Sequence, residues 1–218
     1  MSQKKILLLG ANNPEVARII SCMDQDKRSQ FAGYIDNAPQ KKGQLFYGLP
    51  VLGGFEILPQ LDPTEYKFVN LITRDCITRH QTTLSMSRFG FEMTNFIHPG
   101  LDTGMVTLGE GLYLQGAAIL QAEVVLANNV SISAGAIVGH ETHIGESSFL
   151  APGVTVSGCV NIACGVFIGS GASIVPRVSI GDWSIIGAGS VITRDVSAGA
   201  VMVGNPARIL RMQDIPEF

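Results

Sequence analysis

Between Leu108 and Val191 the chain places an aliphatic residue at every sixth position. Leu108, Leu114, Leu120, Leu126, Ile132, Val138, Ile144, Leu150, Val156, Ile162, Ile168, Ile174, Ile180 and Ile186 follow without an insertion. Four residues after each stands a small or β-branched side chain in thirteen of fourteen cases, as at Ala118, Val124, Ala136, Ser148 and Ala172, with Leu112 the exception. A short strand alternates its side chains between two faces, so one large and one small residue of each six point inward. The residues between strands make corners, where Gly and Asn tolerate unusual backbone angles. Gly111, Asn128, Asn129, Gly135, Gly153, Gly165, Gly171 and Gly189 fall there. Three six-residue sides close a triangular coil of eighteen residues, so fourteen repeats give between four and five coils. An ordinary β-sandwich would let its loop lengths drift, and these do not. The pattern predicts a left-handed parallel β-helix.

The first half has a different rhythm. Ile6–Leu9 is a short apolar run suited to a buried parallel strand, and Gly10-Ala-Asn-Asn-Pro-Glu15 is a turn in which Asn13 caps a helix begun by Pro14. Val16, Ala17, Ile19, Ile20 and Met23 have helical spacing. Strands are expected over 31–35 and 66–72, helices over 55–60 and 78–89, and an exit strand over 91–97. Alternating strands and helices predict a small Rossmann-like unit over residues 1–97, joined at His98-Pro99-Gly100 to the β-helix and a C-terminal tail over 98–218. A ligand of such a unit belongs at the carboxyl ends of its strands, at Gly10–Pro14 and Asp36-Asn37. The turn lacks the later glycines of a dinucleotide fingerprint, which disfavours NAD; a purely structural turn is the alternative.

Charged residues make up only 15% of the 218-residue chain and the net charge is −3, which gives no footprint for nucleic acid. No apolar run reaches the length of a membrane span, and the N-terminal run is too short for a signal peptide. Four cysteines, at 22, 76, 159 and 164, show no metal spacing and read as free thiols of a reducing cytoplasm, with Cys159 and Cys164 as buried small residues.

The strongest candidate for chemistry is His140-Glu141, at a corner that projects outward. Histidine is suited to take a proton near neutral pH, and a neighbouring carboxylate orients the ring and stabilises the imidazolium. A solvated histidine with no role is the alternative. No cysteine is expected beside the base. His143 lies on a flat outward side, so His140 and His143 need not converge, and no metal is expected. Glu110, Glu123, Glu146 and Asp182 read as solvated corner charges, Arg177 as a loop or subunit contact, and Trp183 as exposed aromatic surface at an interface or ligand face.

Several segments carry a resemblance along nearly the whole chain: Ile6-Leu-Leu-Leu-Gly-Ala11, Gly33-Tyr-Ile-Asp-Asn37, Asn95-Phe-Ile-His-Pro99, Val138-Gly-His-Glu141, Gly145-Glu146, Ala151-Pro-Gly153 and Val201-Met-Val-Gly-Asn-Pro-Ala-Arg208. The sequence resembles the bacterial nucleotide-sugar acyltransferases of the PglD and NeuD types. That resemblance implies His140 as general base and Glu141 as the residue that raises its basicity. It implies a nucleotide sugar near Asn12, Asn13, Pro14, Asp36 and Asn37. It implies acetyl-CoA along a groove between subunits, near Gly158, Ser170 and Ala188, with Gly204 and Asn205 near the adenine. It further implies a homotrimer with its active sites between subunits. The sequence departs from the family pattern in the Gly10–Glu15 loop and at Asn37, and Phe149 stands where some relatives have a histidine near the thioester.

The expected activity is acetyl-CoA-dependent N-acetylation of a UDP-, GDP- or TDP-linked amino sugar for bacterial surface glycan or glycoprotein synthesis. O-acetylation of sialic acid or a related sugar is one alternative, and a non-catalytic β-helix serving assembly is another.

Overall fold

The computed structural model describes residues 4–218; Met1–Gln3, the start of the N-terminal run, lie outside them. Strand β1 (Lys5–Leu9) is central to a six-stranded sheet with β2 (Phe31–Ile35), β3 (Leu45–Phe46), β4 (Leu49–Gly53), β5 (Tyr66–Asn70) and β6 (Glu92–Met93), in the order β3-β4-β2-β1-β5-β6. All neighbours are parallel except the β3–β4 hairpin. The unbroken run Leu7-Leu8-Leu9 is buried because both faces of the sheet are covered. Leu8 packs with Val16 and Ile19 of helix α1 (Glu15–Ser21), while Leu7 and Leu9 pack on the other side with Leu58 and Met86. Helix α2 (Gln25–Arg28) is a single turn, and Met86 lies on helix α3 (Cys76–Arg88). The segment Phe55–Gln60, read as a helix, is a 3₁₀ helix; Pro59 inside it has no N–H to donate to a longer helix.

From Thr107 to Ile192 two-residue strands recur every six residues and stack into three parallel sheets, the faces of a left-handed triangular prism. Every sixth residue from Met105 to Gly189 has positive φ, between 55° and 72°. Nine of these fifteen are not glycine, and each such residue costs about 1–2 kcal/mol in that conformation. The cost is offset along the prism, because vertex N–H groups reach carbonyls of the coil before: Glu141 to Ala122 at 3.1 Å, Cys159 to His140 at 2.8 Å and Arg177 to Gly158 at 3.2 Å. The stacked aliphatics close the core, with Ile132, Leu150, Ile168 and Ile186 in one column, each 0% exposed.

The three faces differ. The face built on Tyr113, Ser131, Phe149, Phe167 and Ile185 receives the N-terminal unit. The expected exit strand over 91–97 is two strands: β6 ends the Rossmann-like sheet, and β7 (Phe96–Ile97) pairs with Tyr113–Leu114 of the prism. Arg79 of α3 fastens the two. It is fully buried, donating from Nε to Asn129 O at 2.7 Å and from Nη1 to Asn70 O and Ile72 O at 2.9 Å each. Burial lowers its guanidinium to about 10. The second face shows Thr107, Val125, His143, Asn161 and Ser179; the third shows Ile119, Ile137, Thr155, Ser173 and Val191.

After the last coil, Ala200–Gly204 extends the docking-face sheet and Ala207–Met212 folds back against it. Trp183, expected as exposed surface, is buried at 6% exposure. Its ring lies over Gly165, where a Cβ would stand 2.1 Å from it, and packs against His80 and the C-terminal Phe218. Docking of the N-terminal unit, which no local pattern reveals, covers it. Among the described residues no helix is long and apolar enough to cross a membrane.

The register predicts unequal costs on one strand. Ile162→Ala, which empties a core position, is expected to cost about 2–5 kcal/mol. Asn161→Ala, on the outward side of the same two-residue strand, is expected to stay within about 0.5 kcal/mol. Denaturant melts of both variants check this; equal losses would contradict the inward-outward assignment.

Candidate active site

His140 and Glu141 occupy the vertex between the second and third faces, opposite the face that carries the N-terminal unit. His140 Nδ1 lies 2.9 Å from a Glu141 carboxylate oxygen, and both side chains are more than half exposed. With Nδ1–H donating to the carboxylate, Nε2 keeps its lone pair; it makes no hydrogen bond among the described residues. The hydrogen bond from His140 holds the Glu141 carboxyl below the usual carboxylate range, with help from the Cys159 thiol and the charge of Arg177. Gln121 fixes the backbone by accepting from His140 N–H at 3.0 Å.

The eighteen-residue coil decides what surrounds the pair. Gly158, one coil on from His140, lies directly beneath the ring: a Cβ there would stand 2.6 Å from Nε2. Cys159, one coil on from Glu141, places its sulfur 3.6 Å from the Glu141 oxygen, so a cysteine does stand beside the proposed base. Cys159 and Cys164 are half-buried rather than buried. Arg177 follows in the same column, so it faces the site rather than a remote loop. Counting eighteen instead of six reveals both residues in the sequence. His140, Glu141 and Cys159 bring three potential metal-ligand atoms within 4.8 Å of one another. His143 points outward from the neighbouring face and is not among them.

The other implied residues are distributed over separate places. Ser170 and Ala188 are stacked at the vertex between the third face and the docking face, so the width of the third face separates them from Gly158 within one chain. Their vertex is built from Ala134-Gly135, Pro152-Gly153, Ser170-Gly171 and Ala188-Gly189, and the added Cβ at Gly153, Gly171 or Gly189 would meet nothing within 4 Å. An open edge of small residues with exposed main chain fits an extended ligand arm. Gly204 ends the strand Ala200–Gly204 and Asn205 begins the turn after it, and Gly204 N–H reaches Ser190 Oγ at 3.2 Å, which sets the turn beside that edge. Phe149 is buried on the docking face against Phe167, away from the His140 vertex.

Asn12, Asn13, Asp36 and Asn37 line a cleft of about 610 Å³ at the carboxyl ends of β1, β2 and β5; Pro14 is not among its lining residues. Thr73, Arg74, Thr78 and Thr82, at the start of α3, and Phe55 complete it, and these the sequence reading missed. Helix α1 begins at Glu15 with Pro14 as its N-cap, one residue later than expected, and Asn13 Oδ1 accepts from Glu15 N–H at 3.0 Å. Asp36 accepts from Ala11 N–H and Ala38 N–H, both at 2.9 Å, and from Lys41 at 2.7 Å. Burial pushes its carboxyl up, but these three donors together outweigh it and hold the pKa below the ordinary value. Asn37 Oδ1 accepts from Phe55 N–H at 2.8 Å. Both side chains therefore shape the cleft by holding its loops.

A family model described as "Bacterial transferase hexapeptide (six repeats)" matches residues 159–194. No curated protein matches the chain by sequence. Among solved structures, PerB from Caulobacter crescentus, in complex with CoA and GDP-perosamine, is 26% identical over 95% of this chain and 98% of its own, with a TM-score of 0.83. The acetyltransferase domain of PglB from Neisseria gonorrhoeae is 25% identical over 95% of this chain and all of its own, with a TM-score of 0.85. WeeI from Acinetobacter baumannii, at 24% identity and a TM-score of 0.72, shares the fold. Repeat, prism, appended α/β unit and these likenesses support an acyltransferase built on a left-handed β-helix and similar to these hexapeptide-repeat proteins.

The depressed carboxyl of Asp36 makes a pH-dependent prediction. A group whose pKa falls on folding contributes stability that is complete above its unfolded value, about 4, and is lost as pH drops through the lower folded value. Asp36→Asn is therefore expected to lower stability by about 1–3 kcal/mol at neutral pH. The gap to the parent protein should close as the pH is taken below about 4. Thermal melts across pH check it; a gap that persists undiminished in acid would contradict the assignment.

Proposed function

We propose that this acyltransferase N-acetylates an amino sugar carried on a nucleoside diphosphate, with acetyl-CoA as donor and His140 as general base, in the cytoplasm. The observation that carries the reading is His140 Nδ1 on the Glu141 carboxylate at 2.9 Å, which turns the unbonded Nε2 outward over Gly158. The whole-chain likeness to an N-acetyltransferase holding CoA and GDP-perosamine supports it. Residues 1–97 hold the nucleotide: the cleft at the strand ends has the size of a small-ligand site, and Arg74 beside the start of α3 offers charge to a diphosphate. Residues 98–218 hold the donor.

His140 lies opposite the face on which its own N-terminal unit sits, so acceptor cleft and base come together when a neighbouring copy packs against the prism. Three copies about a threefold axis give three equal clefts, and the same packing lets the small-residue edge of one copy face the His140 vertex of the next.

Bound acetyl-CoA supplies the thioester, whose C–S bond breaks as the bond from acceptor nitrogen to carbonyl carbon forms. His140 Nε2 takes the proton released by that nitrogen and returns it to the departing sulfur. Glu141, anionic, stabilises the imidazolium formed in between.

His140→Ala is expected to lower kcat about 10²–10⁴-fold. Gly158→Ala should cost about 10²-fold by displacing the ring while leaving the fold intact. Thiol release with a panel of UDP-, GDP- and TDP-amino sugars and their hydroxyl counterparts measures both effects and identifies the acceptor. Unchanged turnover in His140→Ala would remove the mechanism. Transfer to the hydroxyl acceptors alone would move the activity to O-acetylation.

A further inference from the structure

The coil places a thiol against the carboxylate of the proposed base pair. Glu141 and Cys159 are vertical neighbours, with Sγ and Oε2 3.6 Å apart, and Nδ1 lies 2.9 Å from the same oxygen. The three ligand atoms fall within 4.8 Å of one another. Zinc takes sulfur at about 2.3 Å and nitrogen or oxygen at about 2.0–2.1 Å, so neighbouring ligand atoms of a tetrahedral site stand about 3.3–3.6 Å apart. The sulfur–oxygen distance already matches, and small rotations of exposed side chains bring in the nitrogen.

The frame beneath is rigid. Cys159 N–H donates to His140 O at 2.8 Å, and Glu141 and Cys159 share the left-handed vertex conformation, with φ of 55° and 59°. A neutral imidazole, a thiolate and a carboxylate carry together the two negative charges that a divalent cation requires. The fourth position faces solvent, because all three residues are at least partly exposed.

We propose that His140, Glu141 and Cys159 form an inhibitory site for a thiophilic divalent cation of the zinc type. The ion displaces the Nδ1 proton, which passes through solvent to Nε2, and the thiol proton, which leaves to solvent. An imidazole metallated at Nδ1 carries its remaining proton on Nε2, the atom that must be free to accept one. Binding stands on the geometry alone, whereas inhibition also rests on the reading of His140 as base. Arg177, next in the column, opposes the ion's charge and keeps the site reversible.

Cobalt(II) reports such a site by a thiolate-to-metal charge-transfer band. Metal-free, full-length protein with the exposed Cys22 replaced (C22S) is titrated with Co²⁺, then with Zn²⁺ as competitor. The band is expected to appear, to be bleached by Zn²⁺, and to be absent once C159S is added. Zn²⁺ should inhibit acyl transfer reversibly, with a chelator restoring it. C159S, normalised to its own metal-free rate, should need about tenfold more zinc or greater. No band, or the same band in C159S, would overturn the site as adventitious binding at other thiols. A Cys159-dependent band without inhibition would overturn the inhibitory role and count against His140 as the base. Inhibition equal in both proteins would place the zinc elsewhere.

Discussion

Main-chain hydrogen bonding from coil to coil, locked by a left-handed residue at every sixth position, is the constraint from which the other features of the molecule follow. It fixes the coil at eighteen residues, and that number decides which side chains become neighbours. His140 is placed over Gly158, and Glu141, Cys159 and Arg177 are placed in one column. A single inserted residue between 140 and 158 would break both relations and turn the inward aliphatics of the following coils outward. The outward projection of His140 is thus a property of the register. Its partner and the space beneath its ring have the same origin.

The second constraint is how the N-terminal unit is attached. Arg79, buried without a carboxylate beside it, joins the end of β5 to a vertex carbonyl of the prism. Its partners are main-chain oxygens on Nε and Nη1, and its buried Nη2 has none among the described residues; a cation held this way tolerates little displacement, since each lost hydrogen bond leaves more charge uncompensated. The unit is thereby fixed on one face, and its cleft is held away from the His140 vertex of the same chain. Separation within the chain is what makes assembly a requirement of the proposed chemistry.

The prism was legible because its signal is periodic and nearly free of exceptions, and the proposed base was legible because a histidine is conspicuous where small residues predominate. The β3–β4 hairpin was not. Its strands are short, and its turn is Tyr47-Gly48, both with positive φ; tyrosine is not a residue that announces such a turn. Trp183 was misread because its cover comes from α3 and the C-terminal end, distant in sequence. Cys159 was misread as core because six-residue counting gives its corner position but not its vertical neighbour. Asp36 and Asn37 were found by position at the strand ends, but their role in holding loops depends on Lys41, Ala11 and Phe55, which only the folded chain brings to them.

The central claim, that base and acceptor cleft meet across a boundary between copies, is tested most directly by complementation. One chain carries His140→Ala, and a second carries Thr82→Trp to fill the N-terminal cleft. Each is expected to be inactive alone, whereas co-assembly should restore about a quarter of parental activity, the share of boundaries that pair an intact base with an intact cleft on random mixing. A mixed assembly as inactive as either parent would contradict the account.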